Sequence, residues 1–273
     1  MTFKNKVVLI TGGSYGLGAA CVRQFEQQGA LISILDVAAP PNTGLAAKVI
    51  TVGDATDAAV RERAVTATLQ AFHRIDILVN NVGVGLYESP SNTNDGDLRR
   101  LFDVNVFAAV ELTKLVARDM KVRRSGWIAN VSSISAYAAM PWSMAYCASK
   151  AALHSFSESL RREMCAYGIH VCTVIPGIIS TGFRDNVIGG SAPAAVLDIR
   201  RTVSPDQVAA ALIRACARRR RRVFVPWYGQ LLAAADLLTP SATDAFLHRY
   251  GSPDPASSRA SVRGPSSPTR PLP

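Results

Sequence analysis

A chain of 273 residues, 48% of them hydrophobic, is long enough to bury one sizeable core, and one α/β domain is the simplest arrangement. No repeat at a fixed period points to a solenoid. The formal net charge of +10 raises nucleic acid, an acidic membrane surface or an acidic carrier as partners, but much of it is gathered in Arg218 to Arg222 without interleaved aromatics, which argues against nucleic acid and also fits a solvated helix end.

The opening Met1-Thr2-Phe3-Lys4-Asn5-Lys6 runs into a short apolar strand rather than a signal segment, and no stretch reaches the ~18 apolar residues of a membrane span. The cysteines Cys21, Cys147, Cys165, Cys172 and Cys216 lack metal-ligand spacing and read as reduced core thiols. A cytoplasmic protein without a bound metal is expected.

Apolar runs of strand length recur at Val7 to Ile10, Leu31 to Leu35, Lys48 to Val52, Ile75 to Asn80, Trp127 to Val131, His170 to Ile175 and Val223 to Val225. Helical segments are predicted between them at Gly16 to Gln28, Asp57 to Phe72, Asp97 to Met120, Met144 to Tyr167 and Pro205 to Ala217. Continuous rather than alternating apolar strands imply burial on both faces, so the expectation is a doubly wound, Rossmann-like parallel sheet of seven strands with helices on both faces. Residues 1–250 form the domain, the Gly- and Pro-containing segment from Thr181 to Val203 is a candidate substrate lid, and the Ser, Pro, Ala and Arg composition of 251–273 predicts a disordered tail.

The first strand feeds Thr11-Gly12-Gly13-Ser14-Tyr15-Gly16-Leu17-Gly18, where glycines sit at a sharp strand-to-helix turn able to cradle a pyrophosphate. Gly12, Ser14, Tyr15, Gly16, Leu17 and Gly18 are the expected cofactor contacts of this turn. The second strand ends at Asp36, placed to accept hydrogen bonds from ribose hydroxyls and to repel a 2′-phosphate, which favours NAD(H) over NADP(H). A plain turn or capping role for Asp36 is the alternative. After the third strand, Asp54, with Ala55 beside it, is placed to reach the adenine amino group, and Asp57 reads as a helix cap.

Tyr146 and Lys150 are four residues apart, hence on one helix face, where an ammonium can lower the pKa of a phenol toward neutrality. Ser133 follows the strand Trp127 to Val131, which puts its hydroxyl at the carboxyl end of the sheet. Asn105, inside an apolar helical run, either caps a local kink or binds a water.

The ordered set Thr11 to Gly18, Asn80-Asn81-Val82-Gly83, Asn105, Ser133, Tyr146, Lys150 and Pro176-Gly177 resembles the short-chain dehydrogenase/reductase family from about Lys6 to Pro226. The resemblance implies a nicotinamide cofactor and a tetrad: Tyr146 as acid and base, Lys150 lowering its pKa and holding the nicotinamide ribose, Ser133 orienting the substrate oxygen, and Asn105 holding a proton-relay water. It also places Asn81, the backbone of Ile179 and the hydroxyl of Thr181 near the nicotinamide half. Val82, where the family's usual motif has alanine, predicts a small backbone shift.

The implied activity is hydride transfer between the nicotinamide and a secondary alcohol or ketone. Met140, Pro141, Trp142, Met144, Phe183, Val187 and Ile188 either line an apolar pocket for a steroid, retinoid or fatty substrate or serve as ordinary core. Two alternatives stand beside this reading: an acyl-carrier-protein reductase, favoured by the basic balance and Arg124 but not by Tyr167, and a non-catalytic NAD-binding sensor. The apolar stretch Leu231 to Leu238 is expected to pack on a neighbouring subunit in preference to a membrane surface, and the resemblance implies a homodimer or homotetramer through the helices Asp97 to Met120 and Met144 to Tyr167.

Overall fold

The computed structural model describes residues 3–41, 49–185, 187–190 and 202–251. From the amino end, β1 (Val7–Thr11) leads into α1 (Gly16–Gln27), β2 (Leu31–Asp36), β3 (Val49–Val52), α2 (Ala58–Phe72) and β4 (Ile77–Asn80). Then come β5 (Gly85–Tyr87), α3 (Asp95–Phe102), α4 (Ala108–Arg123), β6 (Gly126–Val131), α5 (Met144–Met164) and β7 (Ile169–Pro176). The last elements are β8 (Val187–Gly190), α6 (Pro205–Ala217), β9 (Arg222–Val225), α7 (Gly229–Leu238) and α8 (Pro240–Gly251).

Seven strands form one parallel sheet in the order β3-β2-β1-β4-β6-β7-β9, as the apolar runs predict. The chain steps outward from β1 to β2 and β3, then returns to the other side of β1 for β4. That reversal opens a crevice at the carboxyl ends of β1 and β4, the place where such sheets bind ligands.

Both faces of the sheet are dry. Val8, Ile10, Ile32, Ile34 and Val79 pack with Ala20, Val22 and Phe25 of α1 and with Val208 and Leu212 of α6. Leu9, Leu35, Leu78 and Ile128 point the other way, onto Ala64 of α2, Leu112 and Val116 of α4 and Leu160 of α5. At about 1.5–3 kcal/mol for each large apolar side chain buried, these two layers supply the main drive to fold.

Between β4 and β6 the register places Asn80 opposite Asn130, and the Asn80 amide donates to Asn130 Oδ1 at 2.8 Å and to Thr113 Oγ1 at 3.0 Å. Asn130 donates in turn to Ser157 Oγ at 2.8 Å. This buried ladder ties the sheet to α4 and α5. Helix starts follow the expected chemistry: Asp57 accepts from Ala59 N at 2.8 Å, and Ser204 and Gln207 form a reciprocal capping box before Pro205.

Several expectations need correction. The single helix expected from Asp97 to Met120 is α3 and α4 joined by a π-helical turn over Asp103–Phe107, because the Asn105 side chain is drawn out of helical register toward the backbone of Val84. β5 and β8 add a second, two-stranded parallel sheet. α7 and α8 follow the last strand, and α8 reaches Gly251, the first residue of the expected tail; residues 252–273 lie outside the described residues. Of the candidate lid, 191–201 lie outside as well, but its ends are joined: Val203 N donates to Ile178 O at 2.8 Å and Ser180 N to Val203 O at 2.9 Å.

The arginine run is not one solvated patch. Arg222 Nε donates to the buried carboxylate of Glu158 on α5 at 2.9 Å, with Arg221 at 3.4 Å and Arg161 at 3.6 Å. Burial works against the Glu158 charge, but the hydrogen bond and charge of Arg222, with Arg221 and Arg161, hold its carboxyl below the ordinary 4.5. The stabilisation is therefore complete above pH 4.5 and is lost as pH falls through the lower folded value. Glu158→Gln is expected to cost about 1–3 kcal/mol in urea unfolding at neutral pH, with the gap to wild type closing as the medium is acidified below the carboxylate range.

Candidate active site

At the end of β1 the backbone turns through Gly12, with φ at +65°, before entering α1. A Cβ on Gly18 would stand 1.8 Å from the Gly12 carbonyl oxygen, so the helix can approach the turn only with glycine there. Asn81, just after β4, clamps this turn: its Nδ2 donates to the carbonyls of Thr11 at 3.0 Å and Gly12 at 3.1 Å. Thr11 Oγ1 reciprocates by accepting from the N–H groups of Asn81 and Val82. The Asn81 amide thus serves the Gly-rich turn.

The first N–H groups of α1 face the crevice with no partner inside the helix, a ready anion site. Thr181 crosses from the end of β7 to lie against Gly16, where a Cβ would be 3.3 Å from Thr181 Cγ2. The backbone of Ile179 pairs with Val203 and accepts from Thr181 N at 2.9 Å, which sets the approach of that threonine. Tyr15 is exposed at the cap position, whereas Leu17 is buried in the core, so only its backbone is available to a ligand.

Asp36 ends β2 beside this turn. Its Oδ2 accepts from Ser14 N at 2.9 Å, its Oδ1 has only a long 3.4 Å contact from Ala38 N, and Ser14 Oγ donates to Ala38 O at 2.7 Å. Among the described residues no lysine or arginine forms an ion pair with Asp36. Asp54 is more heavily engaged than expected. One oxygen accepts from the Thr56 N–H and hydroxyl, both at 2.8 Å, and the other pairs with Arg100 of α3. Burial opposes ionisation, yet the Thr56 and Arg100 contacts hold its carboxyl below the usual range. The Ala55 side chain lies in the core and its carbonyl accepts from Arg61 at 2.7 Å.

The reacting end lies at the carboxyl ends of β4 and β6. Ser133 follows β6 in extended backbone; its Oγ accepts from Ser135 N at 3.1 Å, and its side chain lies near enough to the Tyr146 phenol to lower that group's pKa. Tyr146, in the first turn of α5, is buried between the rings of Tyr87 at 6.0 Å and Phe183 at 6.1 Å. Lys150 Nζ sits 5.8 Å from the Tyr146 ring centroid and donates to Val131 O at 3.2 Å. A Cβ on Gly83 would meet Lys150 Nζ at 3.1 Å and Asn105 Oδ1 at 3.2 Å, so Asn105 and Lys150 flank one glycine. The tetrad residues thus meet around a single cleft.

Asn105 takes part in the kink, one of the two alternatives left by the sequence. Its Oδ1 accepts from Val84 N at 2.8 Å, and its Nδ2 donates to Val84 O and to Ser149 Oγ, both at 3.0 Å. Its amide donors are spent, and the widened turn holds β5 against α5.

Burial dominates the electrostatics. It pushes the Tyr146 phenol well above its ordinary value of 10, helped by Tyr87 and opposed by the Ser133 side chain. The same burial pulls the Lys150 ammonium down to about 8. The expectation that Lys150 lowers the Tyr146 pKa does not hold for these two groups alone, because the ammonium turns toward the Val131 carbonyl and both groups lose water.

Four contributors escaped the sequence reading. Tyr87 and Leu86 reach the site on β5, Ser149 braces Asn105, and Tyr137 bonds His154 Nε2 at 3.0 Å, pinning the Ser133 loop to α5. Tyr137 follows Ser133 by four residues and His154 follows Lys150 by four, a spacing that held the signal. Of the expected pocket residues, Phe183 and Ile188 pack with Leu86, Leu101 and Tyr146, while Met144 is 48% exposed.

The Lys150 shift has a sign that can be checked. The unfolded chain binds the proton more tightly, so the ammonium destabilises the fold below pH 8 and that cost fades as pH climbs from about 8 to 10.5. Lys150→Met is expected to raise stability near pH 7 by about 3 kcal/mol in urea unfolding, with the gain vanishing in alkali.

The short chain dehydrogenase family matches residues 6–190. The chain is 30% identical over 236 residues to dehydrogenase/reductase SDR family member 7B of Xenopus laevis, covering 80% of this chain and 73% of that one. It is 31% identical to the 3-ketodihydrosphingosine reductase of Bacteroides thetaiotaomicron over 66% of each chain. A solved short chain dehydrogenase of Burkholderia cenocepacia, in complex with NADP, superposes with a TM-score of 0.77 at 24% identity, covering 90% of this chain and 99% of that one, which shows the shared fold. With its Rossmann-like sheet, Gly-rich turn and Ser133, Tyr146 and Lys150 gathered at one cleft, this chain belongs to the short-chain dehydrogenase/reductase family of oxidoreductases.

Proposed function

We propose that the protein is an NAD(H)-dependent oxidoreductase that interconverts a lipophilic secondary alcohol and its ketone. The observation that carries this reading is the convergence of the Ser133 hydroxyl on the Tyr146 phenol, with Lys150 5.8 Å from the phenol ring, at the mouth of a crevice lined by the Gly-rich turn. A non-catalytic sensor has no need of that convergence.

The chain fits the cofactor. The turn at Gly12 and Gly18 leaves no room for a Cβ, the N-terminus of α1 offers unpartnered N–H groups, and Asp36 keeps one lightly engaged carboxylate oxygen for ribose hydroxyls. The same carboxylate, with no cation paired to it among the described residues, disfavours a 2′-phosphate. Asp54 and Ala55 would border the adenine, Asn81 would hold the turn beneath it, and Thr181 with the Ile179 backbone would close over the carboxamide side. When bound, the nicotinamide supplies or takes the hydride.

Tyr146 is the acid and base. In reduction its neutral phenol donates the proton to the ketone oxygen; in oxidation it takes the alcohol proton back. The free protein, with the phenol pushed up by burial, rests in the donor form. Ser133 steadies the substrate oxygen and the phenol together. Lys150 holds the ribose and, with an ammonium near neutrality, passes protons toward solvent; the turn at Asn105 beside it holds the relay water.

The substrate class follows from the walls. Tyr87, Leu86, Phe183 and Ile188 surround the phenol with apolar surface. The relative named for 3-ketodihydrosphingosine fits a fatty ketone. For the acyl-carrier alternative, Arg124 stays exposed with its Nη2 donating to Ala166 O at 2.7 Å, and Lys121 covers the Tyr167 ring at 4.9 Å.

Absorbance at the reduced-nicotinamide band, followed over a panel of fatty and steroid ketones, is expected to show turnover by wild type. Tyr146→Phe should fall by about 10²-fold or more while still binding cofactor. Turnover equal to wild type would overturn the role of Tyr146. In fluorescence titrations NADH should bind more tightly than NADPH, and Asp36→Ala should narrow or reverse that order; tighter NADPH binding by wild type would overturn the role of Asp36.

A further inference from the structure

The helix α7, which follows the last strand, reads Gly-Gln-Leu-Leu-Ala-Ala-Ala-Asp-Leu-Leu, and none of its residues is buried. Leu231 is 57% exposed, Leu237 82% and Leu238 77%, and the two residues before the helix, Trp227 and Tyr228, are 67% and 44% exposed. An apolar helix with a single charge, Asp236, is neither a core helix nor a solvated one.

Charge indicates what chemistry would match it. α6 and β9 border a groove of about 640 Å³, lined by Arg214, Arg218 and Arg220 as well as by Val225, Pro226 and Trp227. The arginines and the aromatic entry to α7 therefore share one face. Arg221 and Arg222 serve Glu158, but Arg218, Arg219 and Arg220 have no carboxylate partner among the described residues.

We infer that this edge of the molecule docks on an anionic phospholipid surface, with Trp227, Tyr228 and the leucines of α7 entering the interface and Arg214, Arg218 and Arg220 facing the headgroups. Exposed leucines, interfacial aromatics and a cationic flank are the combination that holds a protein on a bilayer without crossing it. No helix among the described residues is long and apolar enough to cross. A second copy fits less well, because a two-fold contact through this face brings like-charged arginine sets together. Nucleic acid answers the arginines but not the leucines.

The docking also has a direction. At the start of α7, Gly229 lies against Ile134, the residue after Ser133, where a Cβ would be 3.5 Å from Ile134 Cδ1. Docking by α7 turns that rim of the cleft toward the bilayer. The inference stands apart from the substrate assignment, and its test reads binding without turnover.

The test is flotation of the full chain with vesicles of phosphatidylcholine alone and of phosphatidylcholine mixed with phosphatidylglycerol, at low and high salt. Binding is expected to the anionic vesicles only, and to weaken with salt. Leu237→Gln with Leu238→Gln, and separately Arg218→Ala with Arg220→Ala, should each lower vesicle affinity about tenfold or more, while NADH binding stays at the wild-type level. No binding to anionic vesicles, equal binding to both kinds, or a loss of dimer in sedimentation by the leucine variant without any vesicle binding would overturn the proposal.

Discussion

The cleft depends on α5 being held to its neighbours by buried and partly buried polar bonds from Ser149 to Glu158. Ser149 meets Asn105, the Lys150 carbonyl accepts from Ser132, His154 meets Tyr137, Ser157 accepts from Asn130, and Glu158 takes Arg222. Apolar packing alone lets a helix slide or rotate by a fraction of an ångström at small cost. Directional bonds, each costly to leave unmade once buried, do not. They fix Tyr146 and Lys150 against Ser133, which comes from the loop after β6.

The same burial that orients these groups works against their charges. The phenol is pushed up and the ammonium down, so at neutral pH the free protein holds a protonated phenol beside an ammonium that burial makes costly. A buried ammonium is a destabilising element kept in place by the rest of the fold, the usual relation between a working site and its scaffold. The π turn at Asn105 is of the same kind, a departure from regular helix held by three side-chain hydrogen bonds.

Much of the architecture was legible because its signals are local. Strands buried on both faces read as largely apolar runs, and β1, β2, β4, β6 and β7 do, while the edge strands β3 and β9 are only partly buried. The helix of Pro205–Ala217 was legible at both ends because a capping box and a proline mark its start. β5 was not: Gly85-Leu86-Tyr87 is too short to carry a pattern, and it becomes a strand only by pairing with β8 a hundred positions on. The engagement of Asp54 by Arg100, and of Glu158 by Arg221 and Arg222, was equally silent, since nothing local links those positions.

By itself the sequence marked the seven central strands, the Gly-rich turn after β1 and the acidic end of β2, because each rests on a pattern within one segment, while the four side chains at the cleft were marked by the family resemblance. Only the tertiary structure decided that Asn105 braces β5, that Asn81 clamps the glycine turn, that the arginine run divides between Glu158 and a free face, and that α7 is left uncovered. Those facts depend on which distant segments become neighbours, and on the water that burial removes from them.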